Sequence, residues 1–452
     1  KIDRDLRPAH AGRCEPHSRW ALAAAGLLLT MSTAPAETSP SDWRAESVRR
    51  IEQHRKGDFA LTLRKPDGKP LANTEVRVRL ARHEFLFGTA VAVGRLAEAG
   101  EDGRRYREFL SSHFSGLVDE NSMKWYHVEK VRGQLDFVKA DLLADFARDH
   151  DLALRGHCLL WAKTKYLPEW ARALPGAELE PLALAQVRRM AERYRGRLAA
   201  WDVNNEMLDG QHFSQTIRAG IDAEFFKTAH AADPGTPLFV NEYHILDSDE
   251  RTAKYLELIL ALRGQGAPVG GIGVQEHAAE RLAPAPAPAD GEAAGERVER
   301  QSRAALVPAD MWARLDRLAA TGLPIHLTEI SAKTKDETRK AEALEAFFRT
   351  GFAHPGVEAI FLWGFWEKAH WMGRDAALVD AQWNPLPAGH RIFQDLLGKE
   401  WNTDLALQTD ADGTVKFRGF FGSYTVAAGN QPPVPVRFRR NDPRAAVARP
   451  SN

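Results

Sequence analysis

The sequence predicts an α/β fold: an eight-fold (β/α) TIM barrel with a small β module formed by segments before and after it. Three observations carry this expectation. Eight short apolar runs, each followed by a helix-spaced stretch, succeed one another between residues 84 and 400. Runs of period-two alternation flank that region, at 58–80 before it and 417–428 after it. The first apolar run is not followed by a glycine-rich dinucleotide fingerprint, which counts against the competing open, doubly wound sheet.

The elements follow in order. An apolar run at 20–30, a basic stretch ending in Arg19 and the small residues Ala34, Pro35 and Ala36 read as a signal peptide over 1–36, too short to cross a bilayer. A secreted or periplasmic location follows as an expectation. Of the two cysteines, Cys14 lies in that leader and Cys158 in the barrel, so no intrachain disulfide is expected after cleavage. Residues 37–57 read as a linker and lead-in. Residues 58–83 read as a β hairpin around Pro66, Asp67 and Gly68. The barrel is placed at 84–400, a C-terminal β segment at 401–430 and a Pro- and Arg-rich disordered tail at 431–452.

Within the barrel the strands are expected at 85–91, 116–121, 152–161, 199–208, 237–243, 270–277, 323–331 and 359–365. Helical spacing is clearest at 137–149, 180–195, 250–263, 309–320 and 336–352. Asp249 and Asp336 are candidate N-caps, and Gly264 and Gly322 candidate helix stops. An Ala/Pro/Glu-rich insertion at 280–300 follows the sixth strand and is read as filler rather than a lid.

Lys plus Arg and Asp plus Glu are both 61, so the chain carries no net charge. That balance argues against a partner needing a broad basic face, whether nucleic acid or an anionic membrane. The 12 Trp exceed ordinary core needs, and flat apolar rings suit stacking against sugars.

In a barrel of this kind the site forms at the carboxyl ends of the strands. Those ends carry Glu120 and Asn121, His157, Asn204 to Glu206, Asn241 and Glu242, Gln275 to His277, Thr328 and Glu329, and Trp363, with Lys124 and Trp161 just beyond. Glu206 ends the fourth strand and Glu329 the seventh, nearly opposite each other. Two carboxyls flanking a bond are what glycoside hydrolysis needs: one protonates the leaving oxygen, the other attacks or stabilises the anomeric carbon. A metal site from His157, His277 and Glu242 is the competing reading, but no HExxH or HxH spacing supports it. A serine nucleophile lacks its GxSxG elbow.

Six strings in order resemble the motifs of glycoside hydrolase family 10, the endo-1,4-β-xylanases, and its plant-type branch in particular. They are ENSMKW (120–125), RGHCLLW (155–161), WDVNNE (201–206), GIGVQEH (272–277), LTEIS (327–331) and LWGFWEKAHW (362–371). The resemblance implies a retaining, endo-acting enzyme on xylan, with Glu206 as acid/base and Glu329 as nucleophile. It implies that Asn205 meets the 2-hydroxyl and that His277 holds the nucleophile. Asn121, Lys124, His157 and Gln275 would bind hydroxyls, and Trp161, Trp363 and Trp371 would form apolar walls. No cofactor and no metal are implied, and a monomer is expected. The chain departs from the family at Ala162 and Thr164, where His and Gln are usual, and at Glu367 and Ala369 in the last motif. Another β-1,4-glycan, transglycosylation, or polysaccharide binding without cleavage are the alternatives.

Overall fold

The computed structural model describes residues 43–284, 305–429, 432–440 and 446–448. The expected signal peptide, the start of the lead-in, residues 285–300 of the insertion and, in the tail, residues 431, 441–445 and 449–452 lie outside the described residues. The rest of the tail, expected to be disordered, instead carries strands at Val434–Phe438 and Ala446–Ala448, because each pairs with a strand of the β module.

Eight parallel strands close into a barrel: β3 (Leu86–Val91), β4 (Gly116–Asp119), β5 (Ala153–Gly156), β7 (Ala200–Asn205), β8 (Leu238–Tyr243), β9 (Gly271–Glu276), β10 (Ile325–Ile330) and β11 (Val357–Leu362). Each pairs with the next, β5 pairs with β7, and β11 returns to β3 through Ala359↔Leu86 to Leu362↔Thr89. The two-residue β6 (Leu160–Trp161) lies against the end of β7. These strands are near-continuous apolar runs because both faces are covered, by helices outside and by side chains within. Glycines on neighbouring strands make room for bulky rings. A Cβ on Gly271 would lie 2.2 Å from the Phe239 ring, and one on Gly88 would lie 2.3 Å from Phe361.

Helices run at Glu101–His113, Val138–Asp149, Gly176–Arg193, Ile221–Ala232, Asp249–Gly264, Pro308–Ala319 and Glu337–Ala353, among them the five that periodicity places, and a π-helical segment follows at His390–Glu400. Asp336 caps its helix by accepting from Arg339 N at 3.0 Å. At the other candidate cap the structure differs by one residue. Ser248, not Asp249, accepts from Arg251 N, and Asp249 opens the first turn. A hydroxyl and a carboxylate both serve this role, so spacing alone does not choose between neighbours.

Two expectations for the amino-terminal segment are corrected. The described part of the lead-in is a helix, Trp43–Arg55, not a linker. Its last residue, Arg55, is buried and donates to three carbonyls at the base of the barrel: Phe352 (2.6 Å), His354 (2.6 Å) and Val357 (2.7 Å). The alternating runs that follow, β1 (Lys56–Leu63) and β2 (Glu75–His83), are strands but not a hairpin. A bridge between Arg64 and Pro70 closes the turn, and then the chain crosses to another sheet.

Strand β1 pairs with β13 (Thr414–Phe420) and β16 (Ala446–Ala448), while β2 lies between β12 (Asp404–Gln408) and β14 (Gly422–Ala428), which pairs with β15 (Val434–Phe438). The expected module of early and late segments is therefore a two-sheet sandwich. Its inner faces bury Phe59, Leu61, Val76, Val78, Phe417, Tyr424 and Phe438, with Phe59 and Phe438 stacked at 4.2 Å. Alternation reports that one face of a strand is buried; it does not name the partner strand.

Candidate active site

The carboxyl ends of the strands surround a cleft of about 490 Å³. Its floor is polar. Asn121, Lys124, His157, Glu206, Gln275, His277, Glu329, Trp161, Trp363 and Trp371 all line it, so ten of the eleven expected site residues are brought together. Asn205, the eleventh, is buried beside the cleft rather than in its lining.

The strand ends are irregular where the two carboxylates sit. The register of β10 shifts against β9 between Leu327 and Glu329, and that of β7 against β8 between Asp202 and Asn205. Such shifts at a barrel rim re-aim side chains. Glu206 itself has φ +61°, a left-handed conformation that is uncommon outside glycine and here marks a site residue.

Glu329 is held from several sides. Asn241 Nδ2 donates to its Oε1 at 2.8 Å. His277 Nε2 lies 3.3 Å from its Oε2, and His157 Nε2 lies 3.9 Å from its Oε1. Burial acts to raise the pKa of Glu329, but His157, His277 and Lys124 outweigh it and hold the carboxyl below its ordinary value. His157 is oriented in turn, its Nδ1 donating to Asp202 Oδ2 at 2.9 Å. Asp202 also takes a two-pronged contact from Arg155, whose third nitrogen donates to His326 Nδ1 at 3.0 Å. Burial pushes His326 well below the usual imidazole range, which suits an acceptor. A string of neighbouring groups thus runs from His326 through Arg155, Asp202 and His157 to Glu329.

Glu206 has different neighbours. Lys163 Nζ donates to its Oε2 at 2.5 Å and to Tyr243 Oη at 3.2 Å, while Asn205 Nδ2 approaches Oε1 at 3.4 Å. Below it, Glu242 accepts from Leu208 N (2.8 Å) and Tyr243 N (3.1 Å). Burial is the main reason that the Glu242 pKa is pushed up to about 8.

The walls are aromatic. Trp161 stacks on Tyr166 at 3.5 Å, and Lys124 Nζ sits 4.7 Å from the Trp161 ring while donating to Asn121 Oδ1 at 3.3 Å. Trp363 packs at 5.1 Å from the His157 ring, and Trp371, half exposed, closes the rim beside His277. Flat apolar walls above a floor of hydroxyl-binding groups fit the two kinds of surface that a sugar presents. Among the described residues no group of His, Cys, Asp and Glu is placed to hold a metal ion. Nor, among them, is any helix long and apolar enough to cross a membrane.

Sequence reading missed Lys163, Tyr243 and Tyr166 as site residues, and the contact of Asn241 with Glu329. Asn241 was visible as a polar strand end, but its partner was not. The flagged departures explain part of the rest. Ala162 is buried, and Thr164 turns away to His212 Nδ1 at 2.9 Å, so neither contributes a polar group to the cleft. Lys163, between them, reaches in instead. Glu367 also serves structure, accepting from Ala381 N at 3.0 Å.

Comparison with known proteins agrees with this geometry. The model for glycosyl hydrolase family 10 matches residues 78–395. The anti-sigma-I factor RsgI6 of Acetivibrio thermocellus is 33% identical over 386 residues, which is 85% of this chain and 46% of that protein. Endo-1,4-beta-xylanase 1 of Arabidopsis thaliana is 32% identical over 382 residues, 84% of this chain and 37% of that protein. The chain therefore spans less than half the length of these two relatives. Native xylanase 10B of Thermotoga maritima superposes with a TM-score of 0.60 at 26% identity, over 70% of this chain and 96% of that one. Fold, motif order and family match agree: the chain belongs to glycosyl hydrolase family 10.

Proposed function

We propose that this protein hydrolyses internal β-1,4-xylosidic bonds of xylan by double displacement, with retention at the anomeric carbon. The observation that carries the reading is the placing of Glu206 and Glu329 in one aromatic-walled cleft. Glu329 is buried among His157, His277 and Asn241, which favour a carboxylate ready to attack. Glu206 faces the cleft from the fourth strand, where it protonates the leaving oxygen as Glu329 bonds to the anomeric carbon. The resulting glycosyl ester is then cleaved by water, whose proton passes to Glu206. The Arabidopsis thaliana relatives named endo-1,4-beta-xylanases support xylan as the substrate.

The test is the purified protein on unsubstituted xylan, followed by reducing ends, product sizes and the anomeric configuration of the first product. Short β-configured oligosaccharides are expected, with turnover reduced about 10²- to 10⁴-fold by Glu206→Ala and at least as far by Glu329→Ala. An α-configured first product would overturn the retaining mechanism. Cleavage of another β-1,4-glycan in preference to xylan would move the substrate.

A second reading is polysaccharide binding without turnover; a relative named as an anti-sigma factor rather than as a hydrolase keeps it open. It predicts xylan binding that survives Glu329→Ala and no products from the parent. Export is also part of the proposal, resting on the apolar run at 20–30. Cell fractionation with sequencing of the mature amino terminus tests it.

A further inference from the structure

We infer that Lys163 is a positioning residue for the acid/base: its ammonium, fixed over Glu206, stabilises the carboxylate left when Glu206 gives its proton to the leaving oxygen. This rests on Glu206 being the acid/base, as proposed above.

The geometry is specific. Lys163 Nζ lies 2.5 Å from Glu206 Oε2 and 3.2 Å from Tyr243 Oη, with the Tyr243 ring at 4.5 Å. The backbone on either side is anchored. Ala162 N donates to Asn205 O (3.0 Å), His212 N donates to Ala162 O (3.0 Å), and Tyr166 N donates to Lys163 O (3.0 Å). Gly210 allows this close packing, because a Cβ there would lie 2.8 Å from the Ala162 carbonyl. Lys163 is therefore aimed by its loop rather than swinging freely from the rim. Burial acts to lower the Lys163 pKa, but Glu206 and Tyr243 outweigh it, so the side chain stays an ammonium.

The consequence follows the proton. In the first step the proton on Glu206 moves to the glycosidic oxygen, the bond from that oxygen to the anomeric carbon breaks, and Glu329 forms the ester. Glu206 ends as a carboxylate whose Oε2 is already paired with Lys163, so the charge that develops there is met by a preorganised donor. Oε1 is left for the proton. The benefit scales with how much protonation the leaving group needs. An unactivated sugar leaving group depends on it, whereas a dinitrophenolate leaves without it.

The test compares kcat/KM on xylohexaose with kcat/KM on 2,4-dinitrophenyl β-xylobioside, for the full chain and for Lys163→Gln, Lys163→Met, Lys163→Arg and Glu206→Ala. The ratio of the two values is the readout, because general loss of fold or of sugar binding lowers both together. We expect Lys163→Gln and Lys163→Met to lower the ratio by roughly ten- to a hundred-fold, as for loss of a charge-assisted hydrogen bond, and Lys163→Arg to restore most of it. A ratio unchanged within about twofold in both neutral variants, with Glu206→Ala lowering it strongly, overturns the role of Lys163 and leaves Glu206 as the acid. An unchanged ratio in Glu206→Ala overturns the acid/base assignment, and the inference about Lys163 falls with it.

Discussion

Asn241 joins the strands that carry Glu206 and Glu329: its Nδ2 donates to Glu329 Oε1 at 2.8 Å and to Asn205 Oδ1 at 2.9 Å, while its Oδ1 accepts from Thr328 Oγ1 at 2.6 Å. One amide thereby sets Glu329 of β10, the proposed nucleophile, against the residue preceding Glu206, the proposed acid/base, on β7. Asn241→Ala removes all three bonds. It is expected to lower kcat about ten- to a hundred-fold with a smaller change in KM, measured on a defined xylo-oligosaccharide. Unchanged kcat would show that Glu329 is held well enough by His277 and His157 alone.

The acid side of the pH profile depends on Glu329. Its folded pKa is depressed by His157, His277 and Lys124 against the opposing effect of burial. Glu329, the proposed nucleophile, therefore stays ionised to a pH below the ordinary glutamate value of 4.5, and activity is expected to persist down to that range. Removing one of the stabilising partners, as in His277→Ala, moves the acid limb of kcat/KM to higher pH. A limb that stays in place in this variant would remove His277 from the account.

Glu242 produces the opposite trend, in stability. Burial pushes its folded pKa up to about 8, above the 4.5 of an exposed glutamate. The proton on Glu242 thus contributes stability that is fully present below pH 4.5 and is lost as pH rises through about 8. Thermal melts from pH 5 to pH 9 are expected to fall for the parent and to fall less for Glu242→Gln, whose side chain does not ionise. Parallel curves would mean that Glu242 does not titrate in this window.

At the other end of the barrel, Arg55 donates to the buried carbonyls of Phe352, His354 and Val357, and His354 O also accepts from Val357 N at 3.2 Å. Arg55→Ala removes all three donations, at a cost of roughly 1–3 kcal/mol for each group left unsatisfied. A drop in Tm of several degrees is expected with kcat/KM little changed at temperatures where the fold persists, because the substitution lies at the base and the cleft at the rim. Loss of activity without loss of Tm would contradict that separation.

Much of the fold was legible because burial on both faces leaves near-continuous apolar runs, and eight of them in alternation with amphipathic stretches have few other solutions. The strand ends were legible for a related reason: polar groups at the end of an apolar run need partners, and the rim of a barrel collects them. Glu206 and Glu329 stood out in this way, as did Asn121, His157, Gln275 and His277. The hairpin expectation failed at β1 and β2 because period-two alternation is a property of a single strand. The sheet each strand joins was settled by Phe417, Tyr424 and Phe438, more than 330 residues further along the chain.

By itself, then, the sequence determined the number of barrel units, their order, the polar rim and the two carboxylates, since each is written in local pattern or in a short motif. Only the tertiary structure decided that Lys163 reaches Glu206, that Asn241 holds Glu329, that Asn205 sits beside the cleft rather than in it, and that the early strands divide between two sheets. These are distances between residues far apart in the chain. They are set by register shifts at the rim, by the left-handed turn at Glu206 and by loop packing against Gly210, and local pattern in the chain carries no record of them.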